Sequence, residues 1–178
     1  MKFDRIIVVD IESTCWEEPT DNINEIIEIG ITPVDTKTGD ILDVRSILVK
    51  PEHSKVSEFC TKLTTLTQED VDSGISFKEA CDILINEYNS KKYMWASYGH
   101  YDKKQFEEQC KRENIEYPFP KAHINVKLLF AFRYSLKRQV GMERALKLLG
   151  IPLIGTHHRG GDDSRNIARI LSKILYDK

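Results

Sequence analysis

Arg5-Ile6-Ile7-Val8-Val9-Asp10-Ile11-Glu12-Ser13-Thr14 is the stretch on which the rest of the chain is read. Its continuous β-branched run predicts a strand over Arg5 to Val9, buried on both faces and therefore central in its sheet. Two acids, Asp10 and Glu12, close that run. If the strand continues, residues two apart project to one face; if it stops, both acids sit at its C-terminal end. Asp-x-Glu followed by Ser13 and Thr14 also suits a helix or turn cap, so this segment alone does not settle its use.

Outward from that strand, Glu25 to Val34 and Ile41 to Val49 read as two further strands. Asp35 to Asp40 has turn chemistry, which makes them a hairpin, and Pro51 stops the third strand. Ser57 to Gly74 is polar and threonine-rich, a long connection with room for one helical turn. Ser76 with Glu79 forms a capping box for a helix to about Tyr88. Tyr93 to Ser97 is a short strand, and Tyr101 to Glu113 a helix. Ile124 to Val126 reads as a last short strand before helix over Leu128 to Tyr134. Helix follows over Met142 to Leu149, ending at Gly150 and Pro152, and again over Asp163 to Leu175. A hairpin first, then strands alternating with helices, predicts an α/β domain: a mixed five-stranded sheet flanked by helices, with a crevice at the ends of its parallel strands.

Two more acids fall on apolar stripes. Asp102 shares a stripe with Phe106 and Cys110, and Asp163 with Ile167, Ile170, Leu171 and Ile174. Asp162 is rotated about 100° from that stripe and is expected to cap the helix or face solvent. An acid near a helix start is also favoured by the helix dipole, so Asp102 alone is ambiguous. His158 lies five residues before Asp163, in a loop where Gly160 and Gly161 allow the chain to fold back. A loop histidine there suits a general base, and His157 is set aside as its neighbour. Several carboxylates meeting in a partly dry site repel unless cations neutralise them, and hard cations such as Mg2+ or Mn2+ take oxygen ligands. Together these features outline a two-metal phosphodiester hydrolase.

The chain has 178 residues, enough for one well-buried domain spanning 1–178, and 40% apolar with 30% charged residues is ordinary for a globular protein. No apolar run approaches a membrane span, and the start leads straight into a strand, so neither a membrane anchor nor a signal peptide is expected. Cys15, Cys60, Cys81 and Cys110 are scattered without a Cys-x-x-Cys pair, which argues against structural zinc and a disulfide framework and fits a reducing cytoplasm. The net charge of −2 hides an asymmetry: residues 1–89 carry 8 Lys+Arg against 19 Asp+Glu, and residues 90–178 carry 18 against 9. The basic half either attracts phosphates or pairs with the acidic half.

Val8-Val9-Asp10-Ile11-Glu12-Ser13-Thr14-Cys15-Trp16, Ser97-Tyr98-Gly99-His100-Tyr101-Asp102 and His158-Arg159-Gly160-Gly161-Asp162-Asp163 resemble the three motifs of the DEDDh 3′–5′ exonucleases, of ribonuclease-H-like fold. The likeness is closest to the branch with RNA-interference-regulating and histone-RNA-processing exonucleases, and to bacterial proteins described as inhibitors of a sporulation kinase pathway. Phe59-Cys60-Thr61-Lys62-Leu63-Thr64-Thr65-Leu66-Thr67 resembles that branch's Phe-Cys-x-x-Leu-Thr-Gly-Ile-Thr. Gly141 to Leu146 and Asp162 to Ile170 match it as well, so the likeness covers nearly the whole chain. Thr65 stands where the branch has glycine, and His100 where many relatives have aspartate.

The resemblance implies two Mg2+ or Mn2+ ions about 3.5–4 Å apart, bridged by Asp10, with Glu12 and Asp163 completing one site and Asp102 serving the other. It implies His158 as the base, a single-stranded RNA or DNA 3′ end as substrate, and nucleoside 5′-monophosphate as product. Phe59 and Tyr101 would sandwich the terminal base, Leu66 would wedge against it, and Thr14 would touch the nucleotide through backbone or hydroxyl. Lys103, Lys104, Arg138, Arg159 and Arg165 are candidates for the phosphates. The sequence does not choose between RNA and DNA, nor give the oligomeric state. Two rivals remain: a haloacid-dehalogenase-like phosphatase, whose nucleophilic aspartate also ends a buried strand, and a regulatory nucleic-acid-binding protein without catalysis.

Overall fold

A computed structural model describes residues 1–176. Five strands form one sheet, β1 (Lys2–Ser13), β2 (Ile26–Asp35), β3 (Arg45–Leu48), β4 (Tyr93–Ser97) and β5 (His123–Asn125), in the order β3-β2-β1-β4-β5. β1 pairs antiparallel with β2 and parallel with β4; β2–β3 is antiparallel and β4–β5 parallel. The expected mixed sheet is present, with the β-branched run at its centre.

The alternation of side chains along β1 sorts the core into two layers. Ile7, Val9 and Ile11 pack with Trp95, with Phe77 and Leu84 of α3 (Phe77–Asn86), and with Phe106 of α4 (Tyr101–Glu113). Ile6 and Val8 pack on the other side. There they meet Phe130 of α5 (Val126–Arg133), Leu146 of α6 (Met142–Leu148), and Ile167, Ile170 and Leu171 of α7 (Gly160–Tyr176). Asp10 and Glu12 share the parity of Ile6 and Val8, so they emerge on the face that α7 covers.

Three segments differ from the sequence reading. The connection over 57–74 holds two helices, α1 (Glu58–Thr64) and α2 (Gln68–Asp72). Both are too short to show periodicity, but each is capped: the Ser57 side chain accepts from the Cys60 amide, and Thr67 forms a capping box with Asp70. β3 is shorter than expected because Val34–Ile41 is an isolated bridge and the Asp43 carboxylate accepts the Val44 amide, turning the chain away. α7 begins at Gly160 rather than Asp163, with the Asp163 amide already bonded to the Arg159 carbonyl at 2.8 Å.

Two glycines set how close α7 comes to the sheet. A Cβ on Gly30 would lie 1.7 Å from the Gly160 carbonyl oxygen, and one on Gly160 would lie 2.9 Å from the Gly30 amide. Gly30 is the register partner of Asp10. The start of α7 therefore rests on bare backbone beside the strand that carries the acids.

Candidate active site

β1 stays extended through Ser13, so Asp10 and Glu12 point to one face, and Asp163 is lowered onto that face by α7. Carboxylate oxygens of Asp10, Glu12 and Asp163 lie within 4.8 Å of one another. Asp102 reaches the group from the first turn of α4, with its Oδ1 accepting the Ile11 amide at 3.1 Å. The stripe of Asp102, Phe106 and Cys110 is buried as the spacing requires. These four acids, with His157 and His158, line one cleft of about 340 Å³ together with Ser13, Leu63, Tyr98, Tyr101 and Met142.

Four acids in such a space are electrostatically costly. Burial, then the charges of Asp102, Glu12, Asp163 and Glu28, push Asp10 well above the usual carboxylate range. Burial, then Asp163, raises Glu12 to about 8. Burial also raises Asp102 and Asp163, opposed at Asp163 by the two histidines. Asp163 Oδ1 is buried without a hydrogen-bond partner. An unpartnered carboxylate oxygen facing three further acids fits a hard divalent cation, which would neutralise the group and take oxygen ligands.

The two histidines divide their contacts. His157 Nδ1 lies 2.8 Å from Asp163 Oδ2, which also accepts the His158 amide at 2.9 Å. The His158 ring stacks on that of His157 at 3.9 Å, and burial with the neighbouring imidazole lowers its pKa. The loop bends at His158 itself, which takes φ +64°, and at Gly155, φ +74°; Gly160 and Gly161 serve close approach instead of the fold-back expected of them. His157, set aside on spacing, thus reaches the cleft as well. Asp162 accepts the Thr156 amide at 2.8 Å and ties down this loop.

The nucleotide-contact expectations fare unevenly. Tyr101 is 53% exposed and lines the cleft, its hydroxyl 2.6 Å from Ser13 Oγ. Phe59 is half-buried and lines an adjoining groove with Glu17, Glu58, Lys62 and Leu63; Leu63 belongs to both. Leu66 is a correction: only 1% exposed, it packs with Ile27, Cys60 and Val71 and offers no surface to a base. Thr14 is another correction, fully buried and spent on structure. Its hydroxyl accepts the Glu25 amide at 2.9 Å, its own amide bonds the Glu25 carbonyl, and its carbonyl accepts Asn24. Arg159 turns inward to Glu28 at 3.0 Å, and Lys103 and Lys104 pair with Glu107 and Glu108 on their own helix. Arg138 and Arg165 are exposed.

Two buried acids escaped the sequence reading, Glu28 within β2 and Glu25 immediately before it. Glu28 accepts the Gly160 amide at 2.8 Å, Arg159 and Ser46, and so anchors the start of α7. Glu25 accepts the amides of Glu52, His53 and Ser54. The signal was an acid inside an apolar run, the same signal that singled out Asp10.

The exonuclease family model RNase T matches residues 7–171. The chain belongs to the exonuclease family. The 3′-5′ exoribonuclease 1 of Rattus norvegicus is 35% identical over 98% of this chain, and that of Homo sapiens 34% over the same share. This chain spans about half of those relatives, 54% and 53% respectively. The nuclease domain of 3′hExo, a DEDDh family member solved with rAMP bound, superposes with a TM-score of 0.90 at 34% identity, covering 98% of this chain and 92% of that one. Cell-death related nuclease 4 shares the fold at a TM-score of 0.80 and 22% identity. The fold is therefore the ribonuclease-H-like one. Family membership, and a β1 neighbour that runs antiparallel, leave no place for the phosphatase alternative.

Proposed function

We propose that this protein is a metal-dependent 3′–5′ exonuclease that removes nucleoside 5′-monophosphates from single-stranded nucleic acid, with RNA favoured over DNA. The observation that carries this reading is the meeting of Asp10, Glu12, Asp102, Asp163 and the His157–His158 loop in one cleft. RNA is favoured because similar chains are named exoribonucleases and a similar domain holds rAMP.

Asp10, Glu12 and Asp163 would hold one Mg2+ or Mn2+, and Asp102 would serve a second. When bound, such ions supply charge neutralisation at the phosphate and a more acidic water. The chain's own groups do the rest. His158, whose pKa is lowered by burial and by the neighbouring imidazole, accepts the proton of the attacking water. His157 and the His158 amide hold Asp163 in one orientation. Tyr101, fixed by Ser13, offers a ring face to the terminal base, a contact worth about 1–3 kcal/mol and tolerant of sequence. Phe59 approaches the same base from the adjoining groove.

Labelled RNA and DNA of one sequence, each with a free or blocked 3′ end, test the proposal with Mg2+ and Mn2+. Mononucleotides should appear from free 3′ ends only, faster from RNA. Asp10→Ala and Asp163→Ala should each lower the rate by at least about 10³-fold, since each removes several kcal/mol of charge stabilisation. Asp162→Ala, which only frees the Thr156 amide, should keep most of it. Binding without cleavage under either metal would favour the regulatory-protein reading.

A further inference from the structure

We propose that His157, His158 and Asp163 form a second kind of metal site in this cleft, a binding site for Zn2+-type cations whose occupancy shuts the enzyme off. Donor atoms of the three residues lie within 4.8 Å of one another. The set differs from the carboxylates in its chemistry. Two imidazoles and one carboxylate suit Zn2+, which takes nitrogen and oxygen together, whereas Mg2+ keeps to oxygen.

The geometry supports the assignment. Consecutive side chains of an extended segment point to opposite sides. Here φ of +64° at His158 turns the backbone, so both rings stand on one side, stacked 3.9 Å apart and 18° from parallel. Zn–N and Zn–O bonds of about 2.0–2.1 Å place tetrahedral ligands roughly 3.4 Å apart. His157 Nδ1 and Asp163 Oδ2 stand 2.8 Å apart and no donor pair exceeds 4.8 Å, so small ring rotations close the site. Asp163 is buried with Oδ1 unpartnered, while the His157 side chain is 31% exposed, giving a dry carboxylate and an open entry.

The consequence, though not the site, rests on the proposed nuclease reading. Asp163 cannot serve both cations, and a His158 ring that ligates zinc cannot accept a proton. Zinc is then a competitive switch, tighter than the hydrolytic cation and silent in chemistry.

The full chain titrated with Co2+, without nucleic acid, tests the site directly. A four-coordinate site with imidazoles gives intense visible bands that Zn2+ abolishes; a carboxylate-only site gives weak octahedral ones. Intense bands are expected for the native protein and weak ones for His157→Ala and for His158→Ala. Histidine-selective NMR of the native protein covers the case of a variant that fails to fold: two of the five imidazoles should shift strongly and lose their pH titration with Zn2+, and keep titrating with Mg2+. Weak bands in the native protein, bands unchanged in His157→Ala, or imidazole signals indifferent to Zn2+ would each overturn the site. Under saturating Mn2+, substoichiometric zinc relative to manganese should slow native mononucleotide release about tenfold, with His157→Ala slowed less relative to its own rate. Cobalt bands without any nuclease activity would sink the nuclease reading and leave the site standing; activity without bands would do the reverse.

Discussion

Gly30→Ala probes the seat of α7 on the sheet. The added Cβ would meet the Gly160 carbonyl oxygen at 1.7 Å, where side-chain contacts below 3.0 Å are essentially never seen. The start of α7 must retreat by at least about 1.3 Å, or β2 must bend away by as much. Neither atom is the end of a flexible side chain, so nothing nearby can simply rotate. Overpacking of this kind costs about 1–3 kcal/mol, more where backbone meets backbone. For a domain of this size that lowers Tm by roughly 2–4 °C per kcal/mol. Gly160 is three residues from Asp163 and Gly30 faces Asp10, so the displacement falls on the distance between those two acids. A misplacement of about 1 Å costs about 10²-fold in rate. Scanning calorimetry and Mn2+-dependent nucleotide release measure the two effects. Gly161→Ala is the control, since its Cβ would sit 3.1 Å from the Ser46 Cβ and needs only tenths of an ångström. A Gly30→Ala protein as stable and as fast as the native one, or Gly161→Ala equally damaged, would refute the account of how α7 is seated.

Thr65→Gly should stabilise the protein by about 1 kcal/mol, visible as a higher urea midpoint, because Thr65 caps α1 at φ +66°, where a β-branched residue is strained; the hydroxyl lost makes only a 3.5 Å approach to Arg159. In chelator, Tm should fall as pH rises from about 5 to 8.5. Glu12, with its folded pKa raised to about 8, favours the folded state while protonated, and that contribution is lost as pH passes through 8. Mn2+ should abolish this slope, and Glu12→Gln should reduce it, leaving the part carried by Asp10, Asp102 and Asp163; a slope unchanged in Glu12→Gln would assign it wholly to the other acids. Ser97→Ala should raise the Mn2+ concentration for half-maximal activity about tenfold, because Ser97 bonds Asp102 and stands 2.9 Å from His123 Nε2, holding the carboxylate from behind. Equal metal dependence in the two proteins would remove Ser97 from the site.

The fold was legible wherever burial is two-sided or periodicity is long. β1 announced itself through four consecutive β-branched apolar positions, Ile6 to Val9, and α4 and α7 through stripes that include their acids. What stayed hidden was short or spatial. α1 is about two turns long and α2 little more than one, held by caps rather than by amphipathic repeats. Glu28 and Glu25 were readable as misplaced acids in an apolar strand, but their partners lie far off in sequence, Arg159 for one and the 52–54 amides for the other.

The four acids of the cleft were legible because each stands where an unneutralised charge is costly, and parity or helix phase states which way it points. The same arithmetic selected Asp163 over Asp162, and the structure puts Asp162 on the Thr156 amide instead. It could not rank the histidines. Spacing along a chain predicts direction only where φ and ψ repeat, and His158 leaves every repeat at φ +64°. That one dihedral turns a pair of neighbours, one expected inside and one outside, into two stacked rings over a single carboxylate. A strained residue at this point must be held by its surroundings, and the Asp163 carboxylate does so by accepting both the His157 ring and the His158 amide. Asp163 therefore builds the loop that carries both histidines as well as completing the acid cluster. Asp163→Asn, nearly isosteric but with an amide in place of one oxygen, should accordingly loosen the 155–159 loop to proteolysis even in chelator, a change that a pure metal ligand would not produce.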